Sequence, residues 1–449
     1  MKLTVREVAA ALGLGQAASG KEVTGWSIDT RTLAHGDLFV ALRGPNHDGH
    51  AYLEAAFARG AVAAVVDHIP ADAKPEWTLL VVADTQKALE EMGRYARSRF
   101  AGTVIGLTGS AGKTTSKEVV AALLATRLAV GKNTGNLNNH IGVPLSLLRL
   151  PGEAQVAVLE MGMNHAGEIA HLTSMARPSI GVVTNAGYAH IENFESVEGV
   201  AAAKRELIEG LPEDGVAVLN ADDAQVRRFG EGRKVRVVTF GLSEGATVRG
   251  EDVEFVKDGA RFTVGGVRLE TRLMGRHGVS NILCGLAVAG LFGIGPAEAR
   301  EAVALLEPGE RRGRLLERNG IVHIDDSYNS NPDAARAMVD LLVDTPAQRR
   351  IAVIGEMLEL GDWSERLHRD LGRYAAGSGI DVLVGIRGAA KHAVEAALEA
   401  DIANSAAYFF ATTVEAGEWL KGQARAGDAI LWKGSRGTRV EDALERFLQ

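Results

Sequence analysis

The chain has 449 residues, 46% of them apolar and 24% charged, with a formal net charge of −8. This composition fits an ordinary globular protein of about three domains, and the acidic balance argues against a general nucleic-acid binder while leaving room for a local basic pocket that takes anionic small substrates. The single cysteine, Cys284, excludes an internal disulfide, suits a reducing compartment, and lies in an apolar segment where a core role is expected.

In chain order, the opening residues Met1 to Val8 carry no signal-peptide apolar region. The first segment, 1–83, reads as a small α/β unit. Strand-like runs Asp37 to Leu42 and Ala61 to Val66 flank a helical stretch, Ala51 to Arg59, and Thr78 to Ala83 is a further strand after the loop Pro70 to Pro75.

The second segment, 84–312, opens with a helix, Thr85 to Phe100, and an apolar strand, Val104 to Leu107. The strand breaks at Gly109-Ser110-Ala111-Gly112, and an amphipathic helix, Thr115 to Arg127, follows Lys113 and Thr114. Strand, glycine turn and helix N-terminus make a phosphate cradle. Backbone N–H groups and the helix dipole face the anion, the lysine adds a point charge, and the hydroxyl of Thr114 stands where a Mg²⁺ ligand is expected. The spacing is GxxGK[ST], shorter than the common GxxxxGK[ST].

Val156 to Leu159, Ile180 to Val183 and Val216 to Leu219 read as strands, alternating with helices at Gly199 to Glu209 and Asp222 to Phe229. That alternation means a mostly parallel sheet covered on both faces. Ala246 to Leu273 switches to short β-runs around Lys257-Asp258-Gly259, an antiparallel hairpin region, and helices Gly278 to Leu291 and Pro296 to Leu306 follow. The longest apolar stretch, Ile282 to Ile294, is too short to span a bilayer, so a cytoplasmic location is expected.

Beyond a linker at Pro308-Gly309, the third segment, 313–449, begins with a hairpin signal at Asn319-Gly320. Strands Ile351 to Ile354, Val382 to Ile386, Tyr408 to Ala411 and Ala429 to Trp432 are each separated by a helical segment, which reads as a second doubly wound sheet. No GxGxxG follows its first strand, so a dinucleotide site there is unsupported.

Ligands of open sheets bind at the carboxyl ends of strands, and three polar clusters end strands of the middle segment. Glu160, next to the phosphate turn, is a Mg²⁺ ligand candidate or a rim charge. His190, in Thr184-Asn185-Ala-Gly-Tyr-Ala-His190, is open between a loop residue and a ligand. Lys204 reads on the bare sequence as part of a solvated helix face, with Arg205 and Glu209 pairing at i,i+4. The amide-dense run Gly131 to His140 and the stretch His323 to Pro332 could each contact substrate or nucleotide, or simply form turns and a helix cap.

Taken together these stretches resemble the Mur ligases, ATP-dependent amide ligases of peptidoglycan precursor synthesis, whose phosphate turn has this short spacing. The resemblance covers Thr108 to Glu118, Asn133 to Leu148, Leu159 to Ile169, Thr184 to His190, Ala203 to Glu206, Asp326 to Pro332, Gly355 to Gly361 and Lys433 to Arg436. The N-terminal Ser27-Ile-Asp29-Thr-Arg31, Gly36 to Gly44 and Asp48-Gly49-His50 are similar to the family's UDP-sugar domain. Tyr328 to Pro332 and Glu356 to Gly361 resemble the branch that adds D-alanyl-D-alanine. No Asp-Asn-Pro-Arg, usual in the branch that adds the third peptide residue, occurs in the last segment. Ser330, Arg205 and Glu195 depart from the residues usual at their positions.

The resemblance implies a small α/β UDP-sugar domain, a central mostly parallel P-loop-type ATPase sheet with an antiparallel β region, and a C-terminal Rossmann-like sheet. It implies ATP and two Mg²⁺ as cofactors, UDP-N-acetylmuramoyl-tripeptide and D-alanyl-D-alanine as substrates, and a monomer without nucleic-acid partners or membrane insertion. Lys113, Glu160, His190 and Lys204 become the expected catalytic set, with Lys204 carbamylated by CO₂. Thr114 and Glu160 are expected to hold one Mg²⁺, and His190 with carbamylated Lys204 the second. Gly109, Ser110, Ala111, Gly112, Lys113, Thr114, Thr115, Asn138, His277, Asn281, Arg314, Asp326 and Asn331 are implied nucleotide contacts. Ser27, Asp29, Arg31, Gly44, Asp48, Gly49 and His50 are implied contacts of the UDP-sugar, and Ser435 and Arg436 of the dipeptide. The alternatives are another amide ligase of the superfamily, either the third-residue-adding branch or a folylpolyglutamate-type enzyme, and a nucleotide-binding switch without ligase activity.

Overall fold

The computed structural model describes residues 2–15, 19–400 and 406–449. Three sheets built mainly of parallel strands follow one another along the chain. The first has four parallel strands in the order Gly25–Ser27, Asp37–Val40, Ala63–Val66, Leu79–Val81. A ribbon of Leu3–Thr4 against Glu22–Val23 and a helix, Val5–Ala11, precede it; the sequence reading did not anticipate either. Asp84 closes this unit by accepting the N–H groups of Gln86 and Lys87, which starts the helix Thr85–Arg99.

The central sheet has seven strands in the order Val248–Arg249, Arg236–Gly241, Val216–Asn220, Ile180–Val183, Thr103–Thr108, Val156–Glu160, Val130–Lys132, all parallel. Its inner strands are continuous apolar runs because both faces are covered. Ile105, Leu107, Val156 and Val158 pack against Val119, Leu123, Ile282 and Leu286 of the helices Lys113–Leu124 and Gly275–Leu291. Val104, Ala157 and Leu159 face the opposite way, into a cluster with Leu89, Met92, Val200 and Leu207 of Thr85–Arg99 and Val197–Glu209. After Thr103–Thr108 the chain adds two strands on one side and then four on the other. The phosphate strand therefore stands at the sheet's switch point, with Glu160 ending one neighbour and Thr184 following the other. Leu107 is level with Glu160, and Thr108 with Val183.

The expected antiparallel region is a three-stranded meander, Glu251–Val256, Gly259–Val264, Val267–Thr271. The third sheet runs Arg314–Arg318, Ile321–Asp326, Asp428–Lys433, Arg349–Gly355, Val382–Ile386, Ala407–Phe410; the first pair is the antiparallel hairpin at Asn319-Gly320, and the other strands are parallel. Cys284 is fully buried, and burial pushes its thiol pKa up to about 12, so it is an inert core residue.

One expected helix is absent. Asp222 to Phe229 forms turns with a single 3₁₀ turn, Val226–Arg228. Asp222 accepts the N–H groups of Leu242 and Ser243, and Asp223 those of Ala186, Gln225 and Val226, so both carboxylates tie the segment to neighbouring loops instead of starting an α-helix. Helices Gly142–Leu148 and Glu168–Ala176 and strands Val130–Lys132 and Arg236–Gly241 add to the sequence reading. Among the described residues no helix is long and apolar enough to cross a membrane.

Candidate active site

The glycines of the phosphate turn are forced by close approach. A Cβ on Gly109 would lie 1.9 Å from Thr184 Oγ1, and one on Gly112, whose φ is +76°, would lie 2.8 Å from Asn281 Oδ1. The helix Lys113–Leu124 starts at Gly112 with no side-chain cap, so its first N–H groups and the positive end of its dipole are available to an anion. The cradle is narrower than the motif implies. The N–H of Ser110 donates to Asn185 O at 3.0 Å and that of Ala111 to Asn185 Oδ1 at 2.7 Å, leaving the downstream part of the turn free. Lys113 folds back over the turn and donates to Gly109 O at 2.7 Å; burial lowers its pKa, with the Glu160 carboxylate opposing.

Glu160 is buried at the end of its strand and lines the same cavity of about 670 Å³ as Lys113 and Thr114. Asn138 donates to its Oε1 at 2.7 Å, while Oε2 makes no hydrogen bond and has only the Lys117 ammonium 3.7 Å away. A buried carboxylate oxygen without a donor, lining the same cavity as a threonine, offers oxygen donors of the kind that fit Mg²⁺. Lys117, 0% exposed, spends its hydrogen bonds on the carbonyls of Asn133 (2.9 Å) and Gly135 (3.3 Å), and the Glu118 carboxylate lies 3.4 Å from it. Asn133 in turn clamps the Glu160 backbone through its own side-chain amide. The amide-dense run is thus the frame of the Glu160 carboxylate.

Lys204 overturns the solvated-face expectation: it is 1% exposed. Its neighbours at i−4, i−3, i+3 and i+4 are Val200, Ala201, Leu207 and Ile208, all buried, so it lies on the core stripe of its helix. Arg205 and Glu209 do pair, at 3.3 Å, one residue around the helix. Among the described residues no hydrogen bond or ion pair reaches the Lys204 amine. Burial first, and then the Lys113 charge, push its pKa well below the ordinary lysine value. The neutral amine so favoured is the form that can react with CO₂. Lys204 does not itself line the cavity; a cation there would repel its ammonium and would be matched by an anionic carbamate on the same nitrogen.

His190, at φ +59°, puts Nδ1 2.6 Å from Glu359 Oε2 of the third-sheet unit, and this contact holds the Glu359 carboxyl below its usual range, with Lys113 adding to it. The third sheet supplies further groups. Asn331 caps the helix Pro332–Asp344 with Oδ1 and donates from Nδ2 to Ser110 O at 3.3 Å, and Asp333 accepts the Tyr188 N–H at 2.9 Å. Asp326 pairs with the buried Lys433 at 2.6 Å. Arg312, not Arg314, reaches the cavity, its guanidinium stacked 3.9 Å over the Tyr328 ring; Arg314 is exposed on its strand. Arg436 lines the cavity, but Ser435 is buried and bonded to Leu358 N and Ser330 O. His277 and Asn281 line the opposite wall. Burial lowers the His277 pKa, and Asn281 accepts from Ser116.

The N-terminal candidates do not line this cavity. Arg31 grips Asp29 with a bidentate fork that holds the carboxyl down to about 2, and Ser27 bonds the Asp29 backbone. Gly49 packs on Ala41, where a Cβ would lie 2.7 Å from its Cα, and Gly44 closes a turn onto His47 O. Asp48 accepts from His50, whose Nε2 takes the Asp67 N–H at 3.1 Å. That bond occupies the His50 lone pair, so His50, Asp67 and His68, although close enough together to hold a metal, do not form a metal site. The sequence reading missed Lys117, Asn185, Arg312, Asp333 and Glu359. For Lys117 a signal exists, since Val120, Ala121 and Leu124 at i+3, i+4 and i+7 mark it as a lysine on an apolar stripe.

A seven-stranded parallel sheet with this short phosphate turn at its switch point, joined to a second doubly wound sheet that closes the cavity, defines a P-loop-type nucleotide-binding architecture. Family models match nearly the whole length in order: "Mur ligase family, catalytic domain" over residues 22–97, "Mur ligase middle domain" over 107–289 and "Mur ligase, glutamate ligase domain" over 311–436. The chain belongs to the Mur ligase family. Among individual relatives, it is 32% identical to the UDP-N-acetylmuramoyl-tripeptide--D-alanyl-D-alanine ligase of Bacillus subtilis over 95% of this chain and 93% of that protein. To the enzyme of the same name from Escherichia coli it is 37% identical, over 82% of each chain. A crystal structure of MurF from Acinetobacter baumannii superposes with a TM-score of 0.90 at 30% identity, covering 100% of this chain and 99% of that one. MurF from Thermotoga maritima in complex with ADP superposes at 0.83 with 28% identity, covering 95% of this chain and 97% of that one.

Proposed function

We propose that this chain joins D-alanyl-D-alanine to UDP-N-acetylmuramoyl-tripeptide, cleaving ATP to ADP and phosphate, in peptidoglycan precursor synthesis and hence in cell-wall biogenesis. The observation that carries the reading is the buried Glu160 carboxylate, with one oxygen left without a donor, beside an uncapped phosphate-binding helix. The two curated relatives, both named as tripeptide--D-alanyl-D-alanine ligases and matched over most of their lengths, support the choice of substrates. The three sheets correspond in this proposal to a UDP-sugar domain (1–83), an ATP-binding ligase domain (84–312) and a closing domain (313–449).

A carboxylate cannot be amidated directly because its oxygen is a poor leaving group. The terminal carboxylate oxygen of the tripeptide therefore attacks the γ-phosphorus of ATP, the bridging bond to ADP breaks, and an acyl phosphate forms. The free amine of the dipeptide then attacks the acyl carbon, loses a proton, and phosphate leaves. Lys113 and the N–H groups that start its helix hold the β- and γ-phosphates. Thr114 and Glu160 would hold one Mg²⁺, and His190 with carbamylated Lys204 a second. When bound, the ions neutralise charge that builds on the transferring phosphoryl group. His277, Asn281, Asp326, Asn331 and Arg312 surround the nucleotide, and Arg436 meets the incoming dipeptide. The N-terminal sheet, with the exposed Arg31 and the 44–50 loop, holds the UDP-sugar. Docking of the third sheet excludes water from the acyl phosphate, whose hydrolysis would waste ATP.

The test is a panel of UDP-tripeptides ending in diaminopimelate or lysine, crossed with D-alanyl-D-alanine, single amino acids and glutamate, with product masses read out. A pentapeptide product formed only with the dipeptide supports the proposal; ligation of a single amino acid or glutamate instead moves the chain to another branch of the family.

A further inference from the structure

The stretch Gly355 to Gly361 supplies no group that holds nucleotide or substrate, yet it reaches His190. Glu359 follows a strand of the third sheet and lies 2.6 Å from Nδ1 of His190, which belongs to a loop of the central sheet. Both residues have left-handed backbones, φ +63° and +59°, a conformation that costs about 1 kcal/mol or more outside glycine. The loops are clamped together. Glu192 N donates to Glu359 O at 3.3 Å, and a Cβ on Gly361, at φ +50°, would lie 2.9 Å from Glu192 Cβ, so only glycine allows the approach. Nδ1 is buried and this carboxylate contact is not an aligned hydrogen bond, while Nε2 has no partner among the described residues.

We infer that Glu359 is a positioning residue that the third sheet brings onto His190, orienting the imidazole so that Nε2 faces the second cation. Metal-ligating histidines characteristically give their other ring N–H to a carboxylate, which fixes tautomer and ring orientation. Here the carboxylate is carried by a different sheet from the histidine, so the cation site gains its orienting group only when the third sheet is docked. That ties metal affinity to closure and delays assembly of the site until water is excluded. The inference rests on the reading of His190 as a metal ligand.

The experiment counts Mn²⁺ bound to the full chain by electron paramagnetic resonance, with bicarbonate and a non-hydrolysable ATP analogue present, alongside thermal melting. The wild type is expected to bind two ions. In Glu359→Gln and Glu359→Gly the second should weaken about 10–100-fold while the first is unchanged. Glu359→Gly should melt no lower than the wild type, since glycine relieves the positive φ. In a His190→Ala background, which loses the second ion, Glu359→Gln should change nothing further. Wild-type affinity for both ions in both variants overturns the inference, as does a Glu359→Gly variant that melts lower and still binds both ions normally, because that marks a structural residue. A wild type that binds fewer than two ions overturns the two-metal reading itself.

Discussion

Replacing Lys117 with methionine removes one buried charge from the frame of the Glu160 carboxylate and leaves the volume nearly filled. Lys117 is 0% exposed and Glu160 2%, and their charged atoms are 3.7 Å apart. The substitution deprives the buried Asn133 carbonyl of its donor, at about 1–3 kcal/mol. The Gly135 carbonyl is exposed and can turn to water. Glu160 keeps the Lys113 charge but loses its ion-pair partner, and breaking one partner out of a buried pair costs about 3–5 kcal/mol in all. In a unit of about 200 residues each kcal/mol moves the melting temperature by about 2–4 °C, so calorimetry should show the central unit melting about 6–20 °C lower. Mg²⁺ with nucleotide should narrow the gap, because a cation at Glu160 replaces the lost charge. The control is Lys132→Met, whose partner Glu118 is exposed, and which should cost less than about 1 kcal/mol. A Lys117→Met protein that melts within about 1 °C of the wild type, or a gap that Mg²⁺-nucleotide leaves unchanged, refutes the reasoning.

Lys204→Ala should lose most activity, and short carboxylates such as formate or acetate should partly restore it by standing in for the carbamate; full activity, or no added mass on Lys204 at high bicarbonate, would remove the carbamate. Glu160→Ala should shift the Mg²⁺ dependence of phosphate release to higher concentration, and an unchanged titration would refute its ligand role. His323 accepts the Trp432 indole N–H at 3.1 Å, and burial lowers its pKa from 6.5 to about 4. Its folded pKa lies below the unfolded one, so the unfolded chain binds the extra proton between those values. The stability of the third sheet is then full above about pH 6.5 and falls as pH drops towards 4, by about 3 kcal/mol at 1.36 kcal/mol per unit. His323→Gln should flatten that acid limb in pH-dependent denaturation, and parallel curves for the two proteins would contradict it.

The strands of the central and third sheets were legible because parallel strands buried on both faces leave unbroken apolar runs, as in Val156–Glu160 and Val382–Ile386. The phosphate turn was legible because close packing demands its glycines, and the lysine and threonine that follow them line the same cavity. Short elements such as Gly142–Leu148 and Val130–Lys132 were not, since tertiary packing decides them more than local pattern. Asp222 to Phe229 misled because its aspartates bond to loops that are distant in sequence. Lys204 was misread by looking one residue away: the Arg205–Glu209 pair is real, but a step of one residue turns the helix by about 100°, from the solvent face to the core stripe. Arg312 and Glu359 were invisible for another reason. Arg312 is aimed by its stacking on Tyr328 beyond the next hairpin, and Glu359 meets His190 across the cleft between sheets, so no periodicity within a segment reports either contact.

The central claim, that a tripeptide carboxylate is phosphorylated and then captured by a dipeptide amine, is tested most directly by following heavy-oxygen label. A UDP-tripeptide with both oxygens of its terminal carboxylate labelled is incubated with the enzyme, ATP, Mg²⁺ and D-alanyl-D-alanine, and the released phosphate and the peptide product are weighed by mass spectrometry. One labelled oxygen in the phosphate and the other retained in the new amide, only when the dipeptide is present, is the predicted result. Unlabelled phosphate, or label transfer to a product that lacks the dipeptide, would contradict it.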